Sequence, residues 1–299
     1  MRTVFKREFR GFFEGAFGWM FTAALLFAAG VLTAVNNLLG LSSDVSRMYP
    51  VLTDLLILLL PLLAARTVTY DAAKGNLPWL HTLPVSRTSV LLGKYFAMLA
   101  LLAIPALYFA LFPPIIGSWG NVSYGTAYSS LLGWFLIAAA ALGLCTLIAT
   151  LTANRLLCLL FGVLACLVSY FLPVLAALIS AVPWTGLLFL LLLAAGIAVP
   201  PVLREVRNNR IPIRGILLFA VLCLPAVLLF FLARRFYTRI LPDLLDFLSV
   251  FGHLDGFRNG HFDLRGLCFL LSVTVLTLVL AAILPERMFR KGGLRHENR

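Results

Sequence analysis

His81, His253, His261 and His296, with Cys145, Cys158, Cys166, Cys223 and Cys268, are the side chains of this sequence that could ligate a metal or act as nucleophiles. Their spacing supports neither role. No Cys-x-x-Cys or paired Cys/His spacing of a zinc site occurs, and no His-Glu-x-x-His run is present. No histidine lies in an apolar stretch beside a serine, as intramembrane hydrolysis would need. Each cysteine falls in or next to an apolar run, where a free thiol packs as a small hydrophobe. The phosphate loop of an ATPase is missing too: Gly93-Lys94 lacks the earlier glycine and is followed by Tyr95 rather than a hydroxyl residue of the Ser/Thr type. The expectation is a chain with no catalytic residue, no metal site and no cofactor of its own.

Ion-driven transport would need charged groups at mid-membrane depth, because a charge held there is costly and retained only for use. The apolar stretches are nearly free of them. Asp54 and Lys94 lie near the ends of their stretches, within reach of water by snorkelling, and Asn36 and Asn37 close the first stretch.

The elements that hold these residues are transmembrane helices. The 299 residues are 62% hydrophobic and 12% charged, a composition foreign to a water-soluble domain. A helix needs about 20 apolar residues to cross a hydrocarbon core of roughly 30 Å. Eight segments meet that length: Trp19 to Leu39, Tyr49 to Ala65, Val90 to Phe112, Leu131 to Leu151, Leu156 to Leu178, Trp184 to Leu203, Gly215 to Leu232 and Leu267 to Leu284. The first apolar run starts late and is followed by many others, so the N-terminus is expected to be retained rather than cleaved as a signal. Pro61, Pro105, Pro173 and Pro225 lie inside these segments and predict kinks.

Lysine and arginine accumulate on the cytoplasmic side of short loops. With both termini inside, 18 of the 24 basic residues fall on inner segments, and the outer segments carry no net charge. The whole formal charge of +12 then sits on one face. Its scatter over short loops, rather than in one folded patch, argues against nucleic acid as a partner.

Three polar segments stand apart. Residues 1–17 place Phe5, Phe9, Phe12, Phe13 and Phe17 on one helical face, with Arg2, Lys6, Arg7, Glu8, Arg10 and Glu14 around the rest. This pattern predicts an amphipathic entry helix with its aromatic face in membrane lipid at the inner interface, or else packed on a partner protein. The inner loop 66–87 holds Tyr70, Asp71, Lys74, Gly75 and the run from Leu77 through Pro78, Trp79, Leu80, His81, Thr82 and Leu83 to Pro84. Leu77, Leu80 and Leu83 recur every third residue, which predicts a short helix lying on the membrane or on a cytosolic partner. The outer segment 240–265 places Leu244, Phe247, Leu248, Phe251 and Leu254 on one face and is expected to fold back on the outer leaflet as short helices.

Lys6-Arg7-Glu8-Phe9, then Gly75 with Leu80, Thr82-Leu83-Pro84-Val85-Ser86 and Leu92-Gly93-Lys94, then Phe257, Gly260, Asp263 and Ser272 resemble the ABC-2 type transporter permeases. Within them the sequence is most similar to the permease subunits of the gliding-motility and nitrous-oxide-reductase-maturation type, over about four fifths of the chain. The resemblance implies an all-α polytopic transmembrane domain of the type V exporter kind, spanning 18–299, with six core spans and an extra hairpin at 184–232. It implies a bacterial-type plasma membrane and cytoplasmic termini. It also implies two permease chains, as a homodimer or heterodimer, each docking a cytosolic ABC ATPase in which ATP and Mg are bound. By the same resemblance Asp71, Gly75, Leu77, Leu80, Thr82, Leu83 and Pro84 would form the ATPase-coupling site, and Phe257, Gly260 and Asp263 would stabilise the outer re-entrant segment. Pro78, where the family carries a glutamate, and Tyr70-Asp71, where it carries an acidic pair, depart from the pattern. The competing reading is an autonomous membrane transporter or scaffold without ATP coupling. The small residues Ala138 to Ala141 with Gly143 fit either a dimer interface or packing within one chain.

Overall fold

The computed structural model describes residues 1–73, 87–118, 120–152, 154–179, 242–258 and 263–296, and these are helices and connecting turns without a strand. In chain order the helices are α1 (Arg2–Glu14), α2 (Ala16–Thr33), α3 (Met48–Ala73), α4 (Arg87–Phe109), α5 (Phe112–Gly117), α6 (Tyr124–Leu151), α7 (Arg155–Ile179), α8 (Leu254–Arg258) and α9 (Leu264–His296). Six helical stretches are long and apolar enough to cross a membrane: Ala16–Leu39, Val45–Thr69, Thr88–Gly117, Tyr124–Leu151, Arg155–Leu178 and Leu264–Leu284. They coincide with six of the eight segments expected from hydropathy. The other two, in the hairpin at 184–232, lie outside the described residues.

The chain divides into two compact units, Met1–Val168 with His253–Arg299, and Ser169–Gly252. In the first, α3 and α6 form the centre: 61% of the apolar window of each is buried, against 22–28% for the other four spans. α6 packs against α3, α4, α8 and α9. Its sequence explains that position, because Ala138, Ala140 and Ala141 are fully buried and a Cβ at Gly143 would stand 2.5 Å from Thr277 Oγ1 on α9. Small side chains let helix backbones approach where lipid tails supply no hydrophobic drive for association. The alanine run of α6 is therefore consumed inside the chain, which decides between the two roles the sequence left open for it.

Several threonine hydroxyls within the spans are satisfied locally, whereas Tyr49 OH and Trp134 Nε1 are buried without a hydrogen-bond partner among the described residues. The hydroxyls of Thr22, Thr53 and Thr67 donate to the carbonyls of Gly18, Tyr49 and Leu63 at 2.8, 2.7 and 2.8 Å. This returns the proton to the helix's own backbone, where no water competes. Pro61 and Pro105 lie inside α3 and α4. Beside Pro61, Gly162 of α7 leaves the room, since a Cβ there would come within 2.8 Å of the proline ring. At the end of α2 the helix widens over Ala34–Leu39, and Asn37 Nδ2 donates to the Ser42 carbonyl at 2.7 Å, closing the turn into α3.

In the second unit, the last turns of α7 and the helical residues 242–248 are described. Ser249 Oγ donates to the Ser169 carbonyl at 2.8 Å, and the Val250 amide donates to Ser169 Oγ at 3.0 Å. Tyr170 meets Phe251 edge to face, and Gly252 lies close to Pro173. The single apolar face expected from Leu244 to Leu254 is interrupted: Leu244, Phe247 and Leu248 are exposed, whereas Val250, Phe251 and Leu254 are buried beyond a break in the helix.

Candidate functional site

The sequence-selected residues fall in two places along the chain. The first is the end where α3 stops and α4 begins. Asp71 lies in the last turn of α3. Gly75, Leu77, Leu80, Thr82, Leu83 and Pro84 lie outside the described residues. What is described is the root from which that segment leaves. Lys94, two turns into α4, is buried, and its Nζ donates to the Thr67 carbonyl of α3 at 2.8 Å. The snorkelling expected of Lys94 does not occur: its head is spent on a backbone oxygen between two helices. The reason is local, since a carbonyl near a helix end has a spare lone pair and the facing helix offers a cation of the right length. Thr67 and Thr69 hydroxyls bond to Leu63 and Ala65, which keeps α3 helical past the apolar run.

The same end seats the N-terminal helix. A Cβ at Gly93 would stand 3.1 Å from the Val4 side chain and 3.2 Å from the Met1 carbonyl, so α1 rests directly on α4 beside Lys94. The helix expected over 1–17 ends at Glu14, because Gly15 is extended, and Phe17 belongs to α2. Phe17 then faces the guanidinium of Arg66 at 4.2 Å, a cation over its ring. Gly15 leaves space for that guanidinium, since a Cβ would lie 3.3 Å from it. Of the remaining aromatics, Phe5 stacks on Phe9 at 5.8 Å, Phe9 meets Phe13 at 5.4 Å, and Phe13 meets Trp19 at 5.2 Å. Trp19 Nε1 donates to the Phe13 carbonyl at 3.2 Å and closes the elbow. Phe12 departs from the set: it is buried against the bundle, on the border of the stripe rather than at its centre.

The second place is the segment before α9. Phe257 is fully buried, and its ring lies over Gly133 of α6, where a Cβ would stand 2.6 Å from Phe257 Cγ. Ser129 Oγ, one turn earlier, donates to the Phe257 carbonyl at 2.8 Å. Ring and main chain are thus both held by the same face of α6. Asp263 Oδ1 accepts the Arg265 amide at 3.1 Å and so caps α9. Its other oxygen sits between Gly256 and Gly266, where a Cβ would approach to 2.7 and 2.9 Å. Arg258 pairs with Asp255 at 3.1 Å. Gly260 lies outside the described residues.

Sequence reading missed the Lys94–Thr67 bond, the Arg66–Phe17 contact and the Gly133–Phe257 notch. Only the last left a trace, a glycine within an otherwise bulky part of α6. Among the described residues no group of three histidines, cysteines or carboxylates could hold a metal ion. Comparison with family models, with curated proteins and with solved structures finds no match.

Proposed function

We propose that this chain is the membrane-spanning permease subunit of an ATP-driven ABC-2 type exporter. In this reading it pairs with a second permease chain, and each copy docks a cytosolic ATPase that binds ATP and Mg. The observation that supports it best is the tie between α3 and α4 at the root of residues 74–86. A short coupling helix transmits force only if its two stems move together, and the Lys94–Thr67 bond joins them at the place where they leave the bundle. ATP-driven closure of the ATPase pair would then tilt α3 and α4 as one body, and through α6 the rest of the bundle, between two packed states. The chain would supply no chemistry itself. The termini and residues 74–86 face the cytoplasm of a bacterial-type cell in this reading, in line with the charge distribution.

The deciding experiment is co-purification in mild detergent with a candidate ABC ATPase from the same genome, comparing wild type with Leu80→Asp and Leu83→Asp. Loss of the complex in variants that elute and melt like wild type supports the exporter. A wild-type chain that retains no ATPase overturns it and favours autonomous transport or scaffolding.

A further inference from the structure

The helix α1 has four faces: the fold covers one, half-covers the next and leaves the other two exposed. At about 100° per residue, Val4, Glu8 and Phe12 share a face; Phe12 is buried, Val4 meets Gly93 and Glu8 is mostly covered. This face is the seat on the bundle. Next around the helix comes the ladder of Phe5, Phe9 and Phe13, continued by Trp19. Beyond it, on the side away from the bundle, come Arg2, Lys6 and Arg10, all exposed. Arg7 and Glu14 complete the circle, Arg7 at 2.6 Å from Glu8 and Glu14 at 2.8 Å from Arg10.

We infer that α1 is a docking surface for the headgroups of anionic phospholipid, with Lys6, Arg10 and Arg2 as the contacts and the aromatic ladder as the part immersed below them. The order of the faces carries the inference. A helix lying in an interface needs an apolar stripe, then cations at headgroup height, then water-facing groups, and the bundle fixes its rotation so that this order cannot turn. The surface stands on α1 alone and does not depend on the exporter reading.

The test is hydrogen–deuterium exchange of the full chain in nanodiscs of phosphatidylcholine alone or with phosphatidylglycerol. Peptides covering Arg2–Glu14 should exchange roughly five-fold or more slowly with the anionic lipid, as one or more cations engage the surface. Half-molar salt should reverse the slowing, and Lys6→Gln with Arg10→Gln should remove most of it while peptides from α6 keep wild-type exchange. Equal exchange in the two lipids overturns the inference, as does slowing that survives in the double variant. Slowing by inorganic phosphate in phosphatidylcholine discs would show a free-anion site and overturn the membrane surface as its source.

Discussion

The ammonium of Lys94 reaches across from α4 to the Thr67 carbonyl of α3 at 2.8 Å, with 4% of the residue exposed. A cation so covered has exchanged water for a fixed oxygen, and removal of its partner bond leaves the carbonyl's extra lone pair and the space unfilled. A charged hydrogen bond contributes about 1.5–3 kcal/mol.

Lys94→Met should therefore lower the thermal midpoint of the purified chain, by the equivalent of about 1.5–3 kcal/mol. Lys94→Arg should retain part of the loss, because the fork keeps a donor within reach. On the exporter reading proposed above, Lys94→Met in proteoliposomes with the partner ATPase should also leave ATP hydrolysis running while transport falls. Unchanged midpoint and unchanged transport together would show that the bond ties nothing.

Six of the eight spans placed by hydropathy fall among the described residues, each a long apolar run, and the errors lie at their ends. Tyr49 to Ala65, the shortest segment, becomes Val45–Thr69. Its extension passes through Thr67 and Thr69, polar by composition, whose hydroxyls are returned to the helix backbone. Leu131 to Leu151 extends back to Tyr124 for a similar reason, since Ser130 donates to the Thr126 carbonyl at 2.7 Å. Local hydrogen bonds of this kind are invisible to a count of apolar residues. The long-range pairs were illegible for another reason: which face of α4 meets α3, and which glycine of α6 receives Phe257, depends on helix rotation, and periodicity in a uniformly apolar helix does not fix rotation. The alanine run from Ala138 to Ala141 shows the same limit, being equally suited to another chain until α9 is seen to occupy it.

Asp263 supplies a cap whose value can be read directly. Asp263→Ala removes the acceptor of the Arg265 amide and should destabilise the chain by about 1 kcal/mol. Asp263→Asn keeps a cap oxygen and should lose less. Gly256→Ala or Gly266→Ala should each be worse in the Asp263 background than in Asp263→Ala, because the Cβ would meet the carboxylate at 2.7 or 2.9 Å. Midpoints from thermal melts of wild type, the four single variants and the two double variants check the order.

The sidedness expected from the basic residues is testable at single positions. In a background with the native cysteines replaced, Asn121→Cys, in the turn between α5 and α6, should react with a membrane-impermeant maleimide added to intact cells. Asn154→Cys, at the start of α7, should react only after permeabilisation. The reverse pattern would invert the topology and remove residues 74–86 from the cytoplasm, and with them the proposed ATPase contact.

Gly133 and Phe257 make the sharpest test of the outer segment, because the ring occupies the volume a side chain at 133 would need. Gly133→Ala puts a Cβ 2.6 Å from Phe257 Cγ, and overpacking of this kind costs about 1–3 kcal/mol. Phe257→Ala empties a fully buried site and should cost about 3–5 kcal/mol. Combined, the two changes should cost clearly less than their sum, since the new methyl group enters the space the ring has left, and a coupling of about 0.5–3 kcal/mol is the range for residues in contact. Strict additivity in melts of the three variants would mean that α8 is anchored by the Ser129 bond to the Phe257 carbonyl rather than by the ring, and Ser129→Ala would then become the costly substitution.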